Sequence, residues 1–77
     1  EAIKEQENNY YIEKKFKYGN YIESEKFIIS VGKIAETEGH HPDISFGWGY
    51  ARIKISTHAI KGLAESDFVL AAKIDKI

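Results

Sequence analysis

Residues 10–18, YYIEKKFKY, alternate between two kinds of position. Tyr10, Ile12, Phe16 and Tyr18 share one face, and Tyr11, Glu13, Lys15 and Lys17 share the other. A period of two predicts a half-buried strand. Asn8-Asn9 is turn chemistry, which makes residues 3–7 a short partner strand. After Gly19 the period becomes helical, with Phe27, Ile28, Val31, Ile34 and Ala35 on one stripe. Asn20 and Glu23 have the spacing of a capping box, with Asn in place of Ser or Thr. Gly39 stands where a left-handed residue closes a helix. The expected helix runs from about Tyr21 to Glu38.

Strand character returns over residues 44–56, ISFGWGYARIKIS. Gly47 and Gly49 mark a bulge or turn that divides it. Beyond the turn, Ala51, Ile53 and Ile55 alternate with Arg52, Lys54 and Ser56. From Glu65 to the end a second helix is expected, with Leu70, Ile74 and Ile77 on its stripe. The order is strand, strand, helix, strand, strand, helix. Strand pairs joined by tight turns favour an antiparallel sheet with the helices on one face, an α+β fold.

The chain has 77 residues, enough for one domain. A core this small is marginal alone, so self-association is expected. Hydrophobic residues make up 43% and charged residues 30%, and the net charge is −1 with histidine neutral. That balance points to no nucleic-acid or membrane partner. Cysteine is absent, which excludes disulfides and thiolate-bound metals and is compatible with a cytoplasmic location. No apolar run has the length of a transmembrane helix. The chain opens on Glu1, so a natural N-terminal part is expected upstream.

The candidate chemistry lies at element ends. His40 and His41 follow the first helix directly, and Pro42 stiffens what comes next. The partial negative charge at a helix C-terminus favours a protonated imidazole. Glu36 lies in the last helical turn, within reach of the pair. His58 ends the last strand after Ser56-Thr57, and Asp67 falls in the first turn of the second helix. Each residue also has an ordinary reading. Histidines in small proteins are usually surface or hydrogen-bonded structural residues. Asp67 suits a helix start, Glu36 a solvated helix face, and Phe46 and Trp48 sheet packing. Three histidines and a carboxylate could hold zinc, but adjacent histidines in a bend converge poorly on one ion. No i, i+4 histidine pair exists, so no metal is expected.

Taken in order, these residues form one pattern. It runs from E-x-x-x-H-H-P at Glu36–Pro42 through an aromatic at Trp48 and STH at residues 56–58 to Asp67 within GLAESDFVLAAKI. The pattern closely resembles the pterin-4a-carbinolamine dehydratase family over almost the whole chain. The resemblance implies a four-stranded antiparallel sheet with helices on one face, in agreement with the periodicity. Relatives begin earlier, often with a further helix. This chain departs from many of them at Ile44, where tryptophan is common, at Ser66, where animal members have arginine, and at Ala64, where serine often starts the helix.

The implied reaction is dehydration of a 4a-hydroxytetrahydropterin to a quinonoid dihydropterin, part of cofactor recycling for aromatic amino acid hydroxylases. Hydroxide leaves poorly unless an acid protonates it, and a base must take a ring-nitrogen proton. Histidine does either near neutral pH. No metal, redox cofactor or covalent intermediate is needed. The resemblance implies that His40 and His58 transfer protons and that His41 holds substrate and shares in the acid–base work. Glu36 and Asp67 would orient the imidazoles, with Ser56 and Thr57 adding hydrogen bonds. It also implies a homodimer or homotetramer. Two other roles are open: a dimerisation cofactor that binds a transcription factor, and a dehydratase-like protein for another pterin.

Overall fold

In a computed structural model, which describes residues 2–6, 9–57 and 62–77, the chain forms a four-stranded sheet with two helices. The elements are β1 (Ala2–Gln6), β2 (Asn9–Lys17), α1 (Tyr21–Glu38), β3 (Asp43–Gly47), β4 (Tyr50–Ile55) and α2 (Glu65–Ile74). The strand order is β1-β2-β4-β3, and every neighbouring pair is antiparallel. Both hairpins follow the turn signals. Gln6 pairs with Asn9, so Asn9 already belongs to β2, while Asn8 lies outside the described residues. Gly47 pairs with Tyr50 across a two-residue turn of Trp48 and Gly49. Gly49 has a φ of 80°, a conformation glycine adopts without steric cost.

Strand β4 lies between β2 and β3, and its alternation is the cleanest in the chain. Ala51, Ile53 and Ile55 are buried on the side that carries the helices. They meet Phe27 and Val31 from α1 and Leu70, Ala71 and Ile74 from α2 in one core. Phe27 also stacks on Phe16 at 4.5 Å and on Tyr18 at 5.4 Å between ring centroids. These contacts place both helices on one face of the sheet, the expected α+β arrangement. Among the described residues, no helix is long and apolar enough to cross a membrane.

Three side chains depart from the pattern-based expectation. Lys14 shares the inward face with Ile12 and Phe16 and is only 2% exposed. Its aliphatic stem is apolar enough for that position, and its ammonium donates to Asp75 Oδ1 at 2.7 Å, just beyond α2. Trp48 was expected to pack on the sheet, as Phe46 does against Tyr21. Instead it is 72% exposed, because the turn holds it beyond the sheet's edge. Ile77 was expected on the second helical stripe, but α2 ends at Ile74 and Ile77 is exposed.

Helix α1 is closed at both ends by the residues that predicted it. Asn20 Oδ1 accepts from the Glu23 N–H at 2.9 Å. Glu23 Oε2 accepts from the Gly19 N–H rather than from Asn20, so the capping box closes one residue early. Gly39 has φ 64° and ψ 28°. Its N–H donates to Glu36 O at 3.2 Å, and the His40 N–H donates to Ala35 O at 3.1 Å. This is a Schellman closure, which turns the chain sharply after the helix. A Cβ at Gly39 would meet no neighbour within 4 Å, so the penalty for substitution is conformational. Gly39→Val is expected to cost about 1 kcal/mol or more. Gly32→Ala, in the interior of the same helix with open space around it, is expected to stabilise by roughly 0.5–1 kcal/mol. Thermal unfolding of the two variants should therefore shift in opposite directions; equal shifts would remove the role given to the cap.

Candidate active site

The Schellman turn delivers His40 towards the start of α2. There the two residues bond, although 27 positions separate them in the chain. His40 Nε2 lies 2.5 Å from Asp67 Oδ1. The Asp67 side chain is fully buried, and that of His40 is 19% exposed. The second carboxylate oxygen, Oδ2, accepts from the Thr57 hydroxyl and from the Ala64 N–H, each at 2.7 Å. Every oxygen of this buried carboxylate is thus engaged. Burial alone would push the Asp67 carboxyl up. The Ala64 N–H, the Thr57 hydroxyl and His40 together outweigh it and hold the carboxyl below the usual aspartate range.

Local structure explains how an aspartate comes to be buried there. Ala64 is the residue before α2 and has no side-chain acceptor to cap the helix. Asp67, in the first turn, takes over by accepting the Ala64 N–H. Ala64 stands where many relatives start the helix with serine. The structure makes its backbone N–H a partner of the site, and the three-residue spacing to an acidic residue was the available signal. Thr57 is aligned by a bridge to Gly62, with N–H to O distances of 2.9 and 3.4 Å.

An ionised carboxylate is acceptor-only, so Nε2 of His40 carries the hydrogen of the His40–Asp67 bond. Its other nitrogen, Nδ1, takes no part in this bond. A buried carboxylate that sets the tautomer and orientation of an imidazole is the arrangement found in acid–base sites.

His41 is placed differently. Its Nε2 lies 2.8 Å from Glu36 Oε2, but the two side chains are 65% and 79% exposed. Water screens such a pair, so it orients the ring weakly. Glu36 and Asp67, grouped together by sequence, therefore differ in kind. Asp67 is a buried anchor and Glu36 a solvated neighbour. Ser56 follows β4, half-buried, outside the hydrogen-bond set of Asp67. His58, the third expected histidine, lies outside the described residues. Among the described residues, no group of three or more His, Cys, Asp or Glu could hold a metal ion.

Residues 3–77 match the family model described as "Pterin 4 alpha carbinolamine dehydratase". The chain is 47% identical over 70 residues to a protein of Rubrobacter xylanophilus named "Putative pterin-4-alpha-carbinolamine dehydratase", covering 91% of this chain and 65% of that one. A protein of the same name from Methylococcus capsulatus is 47% identical over 66 residues, covering 86% and 58%. The chain therefore spans less than two thirds of the length of either relative. Among solved structures, the transcriptional coactivator/pterin dehydratase of Brucella melitensis superposes with a TM-score of 0.84 at 22% identity. It covers 96% of this chain and 79% of its own, and shows the shared fold. A pterin dehydratase-like protein identified as a RuBisCO assembly factor of the alpha-carboxysome superposes with a TM-score of 0.79 at 26% identity, covering 99% and 88%. On the family match and the identity to its relatives, the chain belongs to the pterin 4 alpha carbinolamine dehydratase family.

Proposed function

We propose that this chain dehydrates a 4a-hydroxytetrahydropterin, with 4a-hydroxytetrahydrobiopterin as substrate, to the quinonoid dihydropterin. The observation that carries the reading is the bond between His40 Nε2 and the fully buried Asp67, which leaves Nδ1 poised for proton transfer. In the reaction the bond between the 4a-carbon and its hydroxyl breaks, and the electron pair leaves with oxygen. An acid supplies the proton that turns the departing hydroxide into water. A base removes a proton from a ring nitrogen, whose electrons form the new double bond to carbon. His40 and His58 act as this pair, and each is regenerated when protons are exchanged with solvent. His41, open to solvent beside Glu36, holds the pterin edge and shares in proton transfer. Thr57 acts through Asp67, and Ser56 borders the site. The domain spans residues 1–77, and the setting is cytoplasmic recycling of the pterin cofactor. The test is turnover of 4a-hydroxytetrahydrobiopterin followed by absorbance. Dehydration faster than the spontaneous rate is expected, and its absence would leave the reading without support.

Two relatives carry names for other work, as a coactivator and as an assembly factor. A pure binding module would use Asp67 as a helix cap but has no use for the imidazole held on its other oxygen, which favours catalysis here. A dehydratase-like protein for another pterin would share the dyad and differ only in which substrate turns over.

Self-association as a dimer or tetramer belongs to the same reading. Ile22 and Ile29 of α1, and Phe68 and Val69 of α2, are apolar and exposed. They exceed what a chain this small conceals alone. Light scattering at micromolar concentration is expected to give a multiple of the chain mass, and a monomer would refute this part.

A further inference from the structure

The net charge of −1 conceals a separation of charge between the two sides of the sheet. The face turned away from the helices carries Lys4, Lys15, Lys17, Arg52 and Lys54 against Glu13 and Asp43. The register sorts these into rows across β2, β4 and β3. In one row Lys54 stands between Glu13 and Asp43, so its charge is compensated. In the next, Lys15 stands directly opposite Arg52, with Ser45 beyond. In the third, Lys17 faces Tyr50, with Gly47 beyond. Like charges directly opposite each other on neighbouring strands are destabilising. Arg52 and Lys17 make no ion pair among the described residues, and Lys15 reaches only Glu13 on its own strand, at 3.7 Å. Lys15, Lys17, Ser45, Tyr50 and Arg52 line one groove of about 410 Å³.

We propose that this groove docks an acidic, glutamate- or aspartate-rich segment of a partner protein. Arg52 supplies a planar fork that grips a carboxylate through two hydrogen bonds. Lys15 and Lys17 follow one another along one face of β2 and meet successive carboxylates, with Tyr50 opposite Lys17 and Ser45 beyond Arg52. Two other occupants fit less well. A nucleic-acid strand needs successive rings for its bases to stack on. Here Lys54 Nζ sits 4.3 Å from the centre of the Tyr11 ring and covers it. Of the aromatic residues lining the groove, Phe16 turns its ring inward onto Phe27, which leaves Tyr50 among the cations. A second copy could offer the carboxylates of its helical layer, but a sheet-to-helix contact is head-to-tail and does not close on itself as a dimer.

Fluorescence anisotropy of a labelled deca-glutamate peptide at low ionic strength tests the proposal. Wild-type protein is expected to bind saturably and to weaken as salt is added. Arg52→Glu is expected to weaken binding by about tenfold or more, because it removes a charge-assisted contact and adds a repulsive one. Lys33→Glu, on the exposed side of α1, should leave it unchanged. Far-UV circular dichroism checks that each variant is folded. If Arg52→Glu fails to fold, the neutral pair Lys17→Gln and Arg52→Gln takes its place, each expected to weaken binding. No saturable binding, or an equal loss from Lys33→Glu, would overturn the groove. Tighter binding of an oligothymidylate than of the peptide would overturn the choice of partner.

Discussion

Asp67→Asn is expected to fold and to lose between a hundredfold and ten-thousandfold of its dehydration rate, the lower figure typical of a lost acid–base group and the upper that of an orienting aspartate in a catalytic triad. An asparagine fills the same space. Its oxygen can still accept from the Thr57 hydroxyl or the Ala64 N–H, and its amide is then turned towards His40. The amide donates, so His40 Nε2 must become the acceptor and the ring hydrogen moves to Nδ1. Nδ1 is then blocked as a base. Turnover should fall with little change in KM, since the imidazole remains in place. A rate within a few-fold of wild type would show that Asp67 only caps the helix.

The same variant separates stability from catalysis through pH. The folded Asp67 carboxyl is held below its ordinary value of 3.8. Folding is therefore favoured by its ionised form, and that contribution is fully present above the unfolded value. It is lost as pH falls through the carboxylate range towards the lower folded value. Wild type should lose thermal stability on acidification through that window, and Asp67→Asn should lose less. At neutral pH the variant should be less stable by about 1–3 kcal/mol, since one buried donor is left poorly matched. Parallel acid profiles for the two proteins would contradict the account of the buried carboxylate.

His40→Ala is the second large effect. Removing a general acid or base typically costs about 10²–10⁴ in rate. The ring lies between the end of α1 and the start of α2, outside the main core, so the fold should persist. Asp67 would keep its Thr57 and Ala64 donors and remain ionised. His41→Ala is expected to cost less, because its partner Glu36 lies in solvent and does not fix the ring. Comparing the two variants by kcat and KM distinguishes the roles. His40→Ala should lower kcat, and His41→Ala should raise KM. A reversed pattern would exchange their assignments.

Much of this architecture was legible in local signals. The alternation of Ala51, Ile53 and Ile55, the Asn20 cap and Gly39 each act within a few residues, so they are written into the order of the chain. The positions of His40, His41 and Asp67 at element ends followed from the same boundaries. Other features depended on chain segments that meet only after folding. Lys14 reads as polar and yet is buried, because its neighbour across the core is the end of α2. Trp48 reads as core and yet is exposed, because the hairpin tip has nothing packed over it. Ile77 continues a helical stripe on paper, but α2 stops before it. Most consequential is the difference between the two carboxylates. Glu36 and Asp67 look equivalent beside a histidine pair, and spacing cannot say which will be buried. Glu36 sits on the same helix that leads into His41, so their contact is local and exposed. Asp67 meets His40 only when α2 packs on the sheet, and that packing removes water from the carboxylate and adds His40 and Thr57 to the local Ala64 donor. Local pattern specifies the elements, their order and the kinds of side chain at their ends. Packing selects which of those side chains share a dry environment, because desolvation belongs to the folded chain and to no segment alone.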